Sequence, residues 1–172
     1  EQEMLRDMAR EWTKNEHPVD AWRKVRDAGQ PFDADAWGEM GEMGWAGIII
    51  PEVHGGTDFG WLSLGLVIEE LGKSLAASPL VASALAASAI VLGGSDEQKA
   101  RFLLPMAAGI DVWAQGWSEP NAGSDMANIQ ATAILAGDEY VINGQKTWAS
   151  RGAYAHWLFG MFRTDPESER HH

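Results

Sequence analysis

The sequence has no cysteine, and its most apolar stretch, residues 78–94, is too short to cross a bilayer. Without cysteine there can be no disulfide, no thiolate catalysis and no cysteine-ligated metal, and the sequence is compatible with a reducing compartment. His54, His156, His171 and His172 do not have the spacing of metal ligands on a helix. We therefore expect neither a membrane span nor a metal site.

Positive charge is also scarce, since 13 Lys and Arg stand against 25 Asp and Glu and give a net charge of −12. Nucleic-acid binding depends on clustered Lys and Arg, so this balance argues against a nucleic-acid partner. A small anionic ligand stays compatible with it, because backbone N–H groups and one or two local cations can hold a phosphate. Glu1 opens directly into a charged helical pattern rather than a signal peptide, and we expect a soluble, cytoplasmic protein.

The first part of the sequence has the apolar spacing of helices. Asp33 and Ser95 are positioned as N-caps, and Pro79 suits a first helical turn. Six helices are predicted, over residues 4–12, 22–29, 34–43, 61–75, 79–94 and 96–106. The fourth is expected to be well buried through Leu62, Leu66, Ile68 and Leu71.

Between the third and fourth helices, three isoleucines precede Pro51. β-Branched residues favour strands, and the residue before a proline avoids the helical region. The sequence therefore predicts an extended segment over residues 47–52, followed by a turn at Gly55 and Gly56.

After Ile110 the pattern changes to short strands, predicted over residues 112–117, 129–135, 140–142, 146–150 and 157–162. Turn residues separate them, and Asn143-Gly144 is the sequence of a type I′ hairpin turn. Helices followed by strands indicate an α+β fold, with an all-α helical domain over residues 1–109. A small β-barrel or sandwich domain follows over residues 110–172 and looks incomplete, so we expect a longer protein.

The segment 117–125 reads Trp-Ser-Glu-Pro-Asn-Ala-Gly-Ser-Asp. Pro120 ends a strand because it has no N–H, and the loop that follows exposes several amides beside the hydroxyls of Ser118 and Ser124. Such a loop could bind a phosphate or the edge of a heteroaromatic ring. From the residues alone, an ordinary turn between strands is the more common explanation of such a segment.

The segment 143–150 reads Asn-Gly-Gln-Lys-Thr-Trp-Ala-Ser. In a regular strand, alternation places Trp148 on the same face as Lys146 and Ser150. Trp148 could then form a wall against which a flat cofactor rests, or it could be a core tryptophan.

Together, these two segments resemble the signature of the acyl-CoA dehydrogenase family. That signature is a Thr/Ser-Glu-Pro-x-Ala-Gly-Ser-Asp loop followed by an Asn-Gly-x-Lys-x-Trp-x-Thr/Ser segment, matched here by residues 118–125 and 143–150. Residues 50–56, 69–72 and 95–99 also resemble family motifs, in the same order. The resemblance covers essentially the whole chain.

The resemblance implies that a helical and a middle β domain enclose the flavin of FAD. Trp117 and Ser118 would contact its pyrimidine edge, Trp148 its ring, and Ser150 the N5 side. Ser124 would touch the FAD diphosphate or the acyl-CoA substrate. The full expected cofactor-binding set is Gln115, Trp117, Ser118, Gly123, Ser124, Trp148, Ala149 and Ser150. The bulky Trp117 would either trim the acyl pocket or pack behind the sheet.

The resemblance further implies dehydrogenation of an acyl-CoA to a trans-2-enoyl-CoA in fatty acid metabolism. The usual base is a glutamate of a C-terminal domain, so no catalytic residue is expected in this chain. Glu119, Glu52, Glu69 and Glu70 are expected to be structural. The implied partners are acyl-CoA, an electron-transfer flavoprotein or similar acceptor, and further subunits, in a homo-oligomer such as a dimer or homotetramer or in a two-subunit complex.

Three alternatives remain open. The chain could belong to a non-catalytic subunit of a two-subunit acyl-CoA dehydrogenase, or to a flavin oxidase or monooxygenase of the same fold. It could also act alone as a nucleotide-binding module. His171 and His172 are interpreted as native residues rather than a tag.

Overall fold

The computed structural model describes residues 1–165 and 167–168, so the prediction for His171 and His172 lies outside the described residues. The chain divides into two compact units, Glu1–Val112 and Trp113–His172. The first unit is helical and the second contains short strands. The predicted α+β class, a helical domain followed by a small β domain, is confirmed, and the small sheets do not close into a barrel.

Six α-helices form the helical unit, all of whose residues are described. The predicted caps are confirmed: the Asp33 carboxylate accepts from the Ala36 N–H at 3.1 Å, and Ser95 forms a capping box with Gln98. Pro79 was predicted in the first turn of the fifth helix and instead directly precedes that helix as its N-cap. The helices are α1 Gln2–Asn15, α2 Val19–Asp27, α3 Ala34–Glu42, α4 Gly60–Ser74, α5 Leu80–Gly93 and α6 Asp96–Ala107.

Helix α4 packs against α1 and contributes Val67 and Leu71 to the core. Leu62 was predicted to be buried with them, but it is 63% exposed. That prediction was wrong because the beginning of α4 lies in solvent, where Phe59 and Trp61 are exposed as well. No helix in the described residues is long and apolar enough to span a membrane.

The segment before Pro51 is a series of turns, and the predicted extended conformation is wrong. The Ile48 N–H donates to the Trp45 carbonyl at 3.3 Å, and the Ile50 N–H donates to the Gly47 carbonyl at 3.0 Å. A strand would point adjacent side chains to opposite faces, whereas the turns bury all three isoleucines. Burial has therefore overridden the local β propensity.

The β unit contains two small sheets in its described part. Strand β1, Trp113–Gly116, pairs in parallel with β4, Trp157–Gly160. Strands β2, Thr132–Ala136, and β3, Glu139–Asn143, form an antiparallel hairpin. Their two-residue turn is Gly137-Asp138, where the φ of +70° at Gly137 suits glycine.

Two predictions for the following segment are wrong. Asn143-Gly144 does not turn a hairpin, because β3 ends at Asn143 and residues 146–150 form no strand. A side chain at Gly144 would lie 2.5 Å from the Ala131 Cβ, so close packing requires this glycine. Trp148, at a φ of +56°, breaks the alternation that was expected to align it with Lys146 and Ser150.

Candidate functional site

The loop after β1 is closed by Glu119 and Ala122. The Glu119 N–H donates to the Ala122 carbonyl at 2.7 Å, and the Ala122 N–H donates back to the Glu119 carbonyl at 3.2 Å. Pro120 and Asn121 form the tip, as expected for residues that favour turns. The Asn128 side-chain amide donates to the Asn121 carbonyl at 3.2 Å and ties the loop to the chain that follows it.

The Glu119 side chain is buried and accepts three hydrogen bonds. Its donors are the Gln130 N–H at 2.6 Å, the Ala131 N–H at 2.9 Å and the Lys146 ammonium at 2.8 Å. Lys146 is also buried, with 9% of its side chain exposed, and its ammonium lies 5.0 Å above the Phe162 ring. The carboxylate therefore holds together three segments that are distant in sequence.

Burial alone would raise the pKa of the Glu119 carboxyl. The Lys146 ammonium and the two backbone N–H groups outweigh burial and hold this pKa below its ordinary value. A carboxylate whose lone pairs are occupied in this way is a poor proton acceptor. In this structure the Glu119 carboxylate holds the backbone of residues 130–131 and the Lys146 side chain next to the loop.

Lys146 and Thr147 bring the two sequence motifs side by side. The Lys146 ammonium also donates to the Trp117 carbonyl at 3.2 Å, across 29 positions of sequence. The Thr147 N–H donates to the Ser118 carbonyl at 2.8 Å. Ser118 and Trp148 are thus held on adjoining stretches of backbone.

Trp148 presents its indole to solvent. Its φ of +56° is unusual for a residue with a bulky side chain, and its side chain is 89% exposed. The Ser150 N–H donates to the Trp148 carbonyl at 2.8 Å, and the Gly152 N–H donates to the Ala149 carbonyl at 2.8 Å. Ala149 is half-buried and Ser150 is exposed. A backbone fixed in an uncommon conformation to expose a large apolar ring is typical of a binding surface.

Trp117 packs on the sheet rather than projecting freely. Its ring meets Phe159 of β4 edge to face, with the centroids 5.8 Å apart. The Trp117 indole N–H is buried and has no hydrogen-bond partner in the described residues. Gln115 is half-buried on β1, in register with Phe159.

Gly123 and Ser124 form an exposed part of the same loop. A Cβ added at Gly123 would meet no atom within 4 Å, so the space beside this backbone is open. The Ser124 hydroxyl makes no hydrogen bond within the described residues. Both residues are available to a ligand that approaches the loop.

Two residues at the junction where the segments 117–125 and 143–150 meet were not predicted as site residues. Lys146 was assigned to a strand face and to the family signature but to no contact, and in the structure it connects Trp117 and Glu119. The Thr147 hydroxyl is buried without a hydrogen-bond partner in the described residues. In the sequence, Thr147 is marked only by its position between a lysine and a tryptophan. The burial of its hydroxyl depends on contacts that form only in the folded chain.

Comparisons with known proteins agree on one family. A model of the acyl-CoA dehydrogenase N-terminal domain matches residues 1–110, and a model of the acyl-CoA dehydrogenase middle domain matches residues 114–172. A short-chain-specific acyl-CoA dehydrogenase from Clostridium acetobutylicum is 38% identical over 169 residues, covering 96% of this chain and 44% of the relative. The chain spans less than half the length of the curated relatives it matches.

Solved structures give the same result. An acyl-CoA dehydrogenase from Geobacillus kaustophilus superimposes with a TM-score of 0.84 at 31% identity, covering 97% of this chain and 44% of that one. The ChsE4–ChsE5 complex from Mycobacterium tuberculosis gives a TM-score of 0.78 at 32% identity, covering 96% of this chain and 43% of that one. The chain therefore belongs to the acyl-CoA dehydrogenase family.

Proposed function

We propose that the full-length protein is an FAD-dependent acyl-CoA dehydrogenase and that this chain supplies the surface on which the flavin rests. The observation that carries the proposal is the junction of the two motifs. The Thr147 N–H binds the Ser118 carbonyl, and the next residue, Trp148, turns its indole outward. Members of the family are FAD-dependent, and a flat ligand would cover this exposed ring.

The polar atoms at the junction fit a flavin. Buried polar groups are normally hydrogen-bonded, yet the Trp117 indole N–H and the Thr147 hydroxyl have no partner in the described residues. Ser118 adds a half-buried hydroxyl. A flavin offers ring nitrogens and carbonyl oxygens as acceptors, so donors beside an apolar ring are the groups required to hold it.

Each residue then has a distinct role. Trp148 would pack along the flavin ring, while Trp117 and Ser118 would bind its pyrimidine edge. Ala149 and Ser150 would contact the N5 side, and Gln115 would support the pyrimidine edge from β1. Gly123 and Ser124 receive the diphosphate of FAD or of the acyl-CoA, for which Gly123 leaves open space. When bound, FAD supplies the acceptor for the hydride that leaves the β-carbon of the acyl group.

The base that removes the α-proton comes from outside this chain. Glu119 is buried, paired with Lys146 and held at a lowered pKa, so it does not have the free lone pair that proton abstraction needs. Glu70 is also buried and ion-paired, with Lys73 and Arg10. Binding and orientation of the flavin are the work of this chain, and catalysis needs the remainder of the protein.

The first test uses the full-length protein. We expect it to release FAD in a ratio near one per chain, and we expect one acyl-CoA of a panel to bleach the flavin absorbance anaerobically. A purified protein that holds no flavin and cannot be reconstituted with FAD would contradict the proposal.

A second candidate is a non-catalytic subunit, favoured by the similarity to the ChsE4–ChsE5 complex. Such a protein would bind FAD but fail to be reduced by any acyl-CoA until a second chain is added. A flavin oxidase or monooxygenase would instead be reoxidised rapidly by O₂. Turnover with an artificial acceptor but not with O₂ excludes that activity.

We further propose that the full-length protein acts in the cytoplasm as a homo-oligomer or a two-subunit complex and passes electrons to an electron-transfer flavoprotein. The cysteine-free sequence and the family support this assignment. Light scattering measures the assembly, and acceptor activity measured with a purified electron-transfer flavoprotein tests the partner.

A further inference from the structure

Arg151 directly follows the Trp148–Ser150 surface and, unlike the other described Lys and Arg residues of the β unit, has a side chain without a partner. Within the described residues, this unit contains only three Lys or Arg. Lys146 is paired with Glu119, and the Arg163 guanidinium donates to the Ser168 carbonyl and hydroxyl. Arg151 makes no ion pair or hydrogen bond with its side chain in the described residues, although its Nε is fully buried.

The position of Arg151 is fixed by its backbone. It has a φ of +66°, which is uncommon for a residue with a side chain. Its carbonyl accepts from the Tyr154 N–H at 2.9 Å and the Ala155 N–H at 3.0 Å. Three residues span at most about 11 Å, so a ligand lying on Trp148 is within range of the Arg151 side chain. The chain therefore holds a long cationic side chain next to the proposed flavin surface.

A half-buried guanidinium without a partner is costly, because burial removes water from the charge. Burial accordingly lowers the pKa of Arg151. A lack of acids does not explain the missing partner, since the same unit contains Glu119, Asp138, Glu139 and Asp165. An external anion would offset the cost, and a guanidinium matches a phosphate with two parallel hydrogen bonds.

We propose that Arg151 binds a diphosphate group of the ligand that lies on this surface. The inference rests on the proposed function, in which both FAD and acyl-CoA carry a diphosphate. FAD is the ligand expected on Trp148, so the diphosphate of FAD is the proposed partner of Arg151. The diphosphate of CoA presents the same chemistry and is distinguished by experiment.

The test compares full-length wild-type protein with Arg151→Gln and Arg151→Lys. Lys24→Gln is the control, because Lys24 is an exposed cation of α2 and its loss changes the net charge equally. The flavin is stripped, and dissociation constants are measured by fluorescence for FAD and for riboflavin, which has no phosphate. Arg151→Gln should weaken FAD binding at least about tenfold, as expected for the loss of a charge-assisted hydrogen bond. Riboflavin binding should not change. Arg151→Lys should recover part of the loss, and Lys24→Gln should have no effect.

A second arm measures binding of an acyl-CoA and of the same acyl group on pantetheine, which lacks the diphosphate. Arg151→Gln could leave FAD binding unchanged and weaken binding of the acyl-CoA more than binding of the acyl-pantetheine. In that case the diphosphate of CoA is the partner and the proposal stands. Equal losses for FAD and riboflavin, or no selective loss in either arm, would overturn it. If the wild-type protein binds no FAD, the proposed function itself has failed, which is a separate result.

Discussion

Among the described residues, the helical and β units each bury one glutamate, and the two carboxylates are held in different ways. Glu70 of α4 pairs with Lys73 at 2.8 Å and with Arg10 of α1 at 3.3 Å, and both cations are more than half exposed. Glu119 pairs with a buried lysine and accepts two backbone N–H groups. The first arrangement joins two helices that already pack through apolar contacts. The second arrangement fixes the backbone of a loop.

The difference follows from how much apolar core each unit has. The helical unit buries Met40, Trp45, Ile48, Ile50 and Val67 almost completely. Strand β3 of the β unit has no buried residue, and its Val141 and Ile142 are each 59% exposed. Where apolar contacts are few, polar contacts to the backbone determine the shape. The proposed flavin surface lies in the unit that depends on them.

The largest effect is expected for Lys146→Met. This change leaves the Glu119 charge buried without its cation, and breaking a buried pair in this way costs about 3–5 kcal/mol. Chemical denaturation measures the loss, and the FAD content should fall with it. In the double variant Glu119→Gln/Lys146→Met no charge is left unpaired, so stability should partly recover. A single variant as stable as wild type would contradict the importance assigned to this pair.

Glu70→Gln should lower the free energy of unfolding by a smaller amount, about 1–3 kcal/mol. Lys73 and Arg10 are exposed, so both cations can be hydrated when the carboxylate is removed. The control is Glu69→Gln on the exposed side of α4, whose pair with Lys73 at 3.4 Å should contribute less than about 1 kcal/mol. If Glu70→Gln costs more than Lys146→Met under the same conditions, the order inferred for the two units is wrong.

Acid should weaken both units through these glutamates. The hydrogen bond from Lys73 is the main cause that lowers the pKa of Glu70, while Lys146 and backbone N–H groups overcome burial to lower the pKa of Glu119. Each contribution is therefore complete above the ordinary pKa of 4.5 and is lost as the pH falls through the lowered folded-state value. Glutamates titrate over roughly pH 3 to pH 6, so the free energy of unfolding is measured across this range. As the pH falls, it should decrease less steeply in Glu119→Gln than in wild type. Parallel curves would show that Glu119 does not contribute.

The smallest effect is expected for Leu62→Ser. Leu62 is 63% exposed at the beginning of α4, so its replacement should change the unfolding free energy by no more than about 0.5 kcal/mol. Leu71→Ser, at a buried position on the same helix, should destabilise the protein strongly. Similar losses for the two variants in chemical denaturation would mean that the beginning of α4 is covered in the full-length protein.

The two units also differ in how far the sequence predicts them. Helix boundaries depend on local signals, and Asp33, Pro79 and Ser95 located three of them. The turns before Pro51 depend on the burial of three isoleucines, and the irregular course of residues 146–150 depends on distant contacts, such as the bond between Thr147 and Ser118. Strand propensity alone cannot anticipate such contacts.

The candidate site is predictable to a similar extent. The motif resemblance alone selects Ser118 and Trp148 as site residues. The partners that hold the two motifs together could not be predicted, because the Lys146–Glu119 pair forms across 27 positions of sequence. Arg151 carries no local signal, and only the fold shows that its Nε is buried without a partner next to the exposed Trp148.

Flavin affinity measured in matched tryptophan and tyrosine variants shows whether the Trp148 surface binds the flavin. Trp148→Ala removes a side chain that is 89% exposed, so it should leave the fold intact while weakening FAD binding at least about tenfold. Tyr140→Ala removes another exposed ring of the same unit, 58% exposed on β3, and should leave FAD binding unchanged. Equal FAD affinity in wild type and Trp148→Ala would show that the flavin does not rest on Trp148.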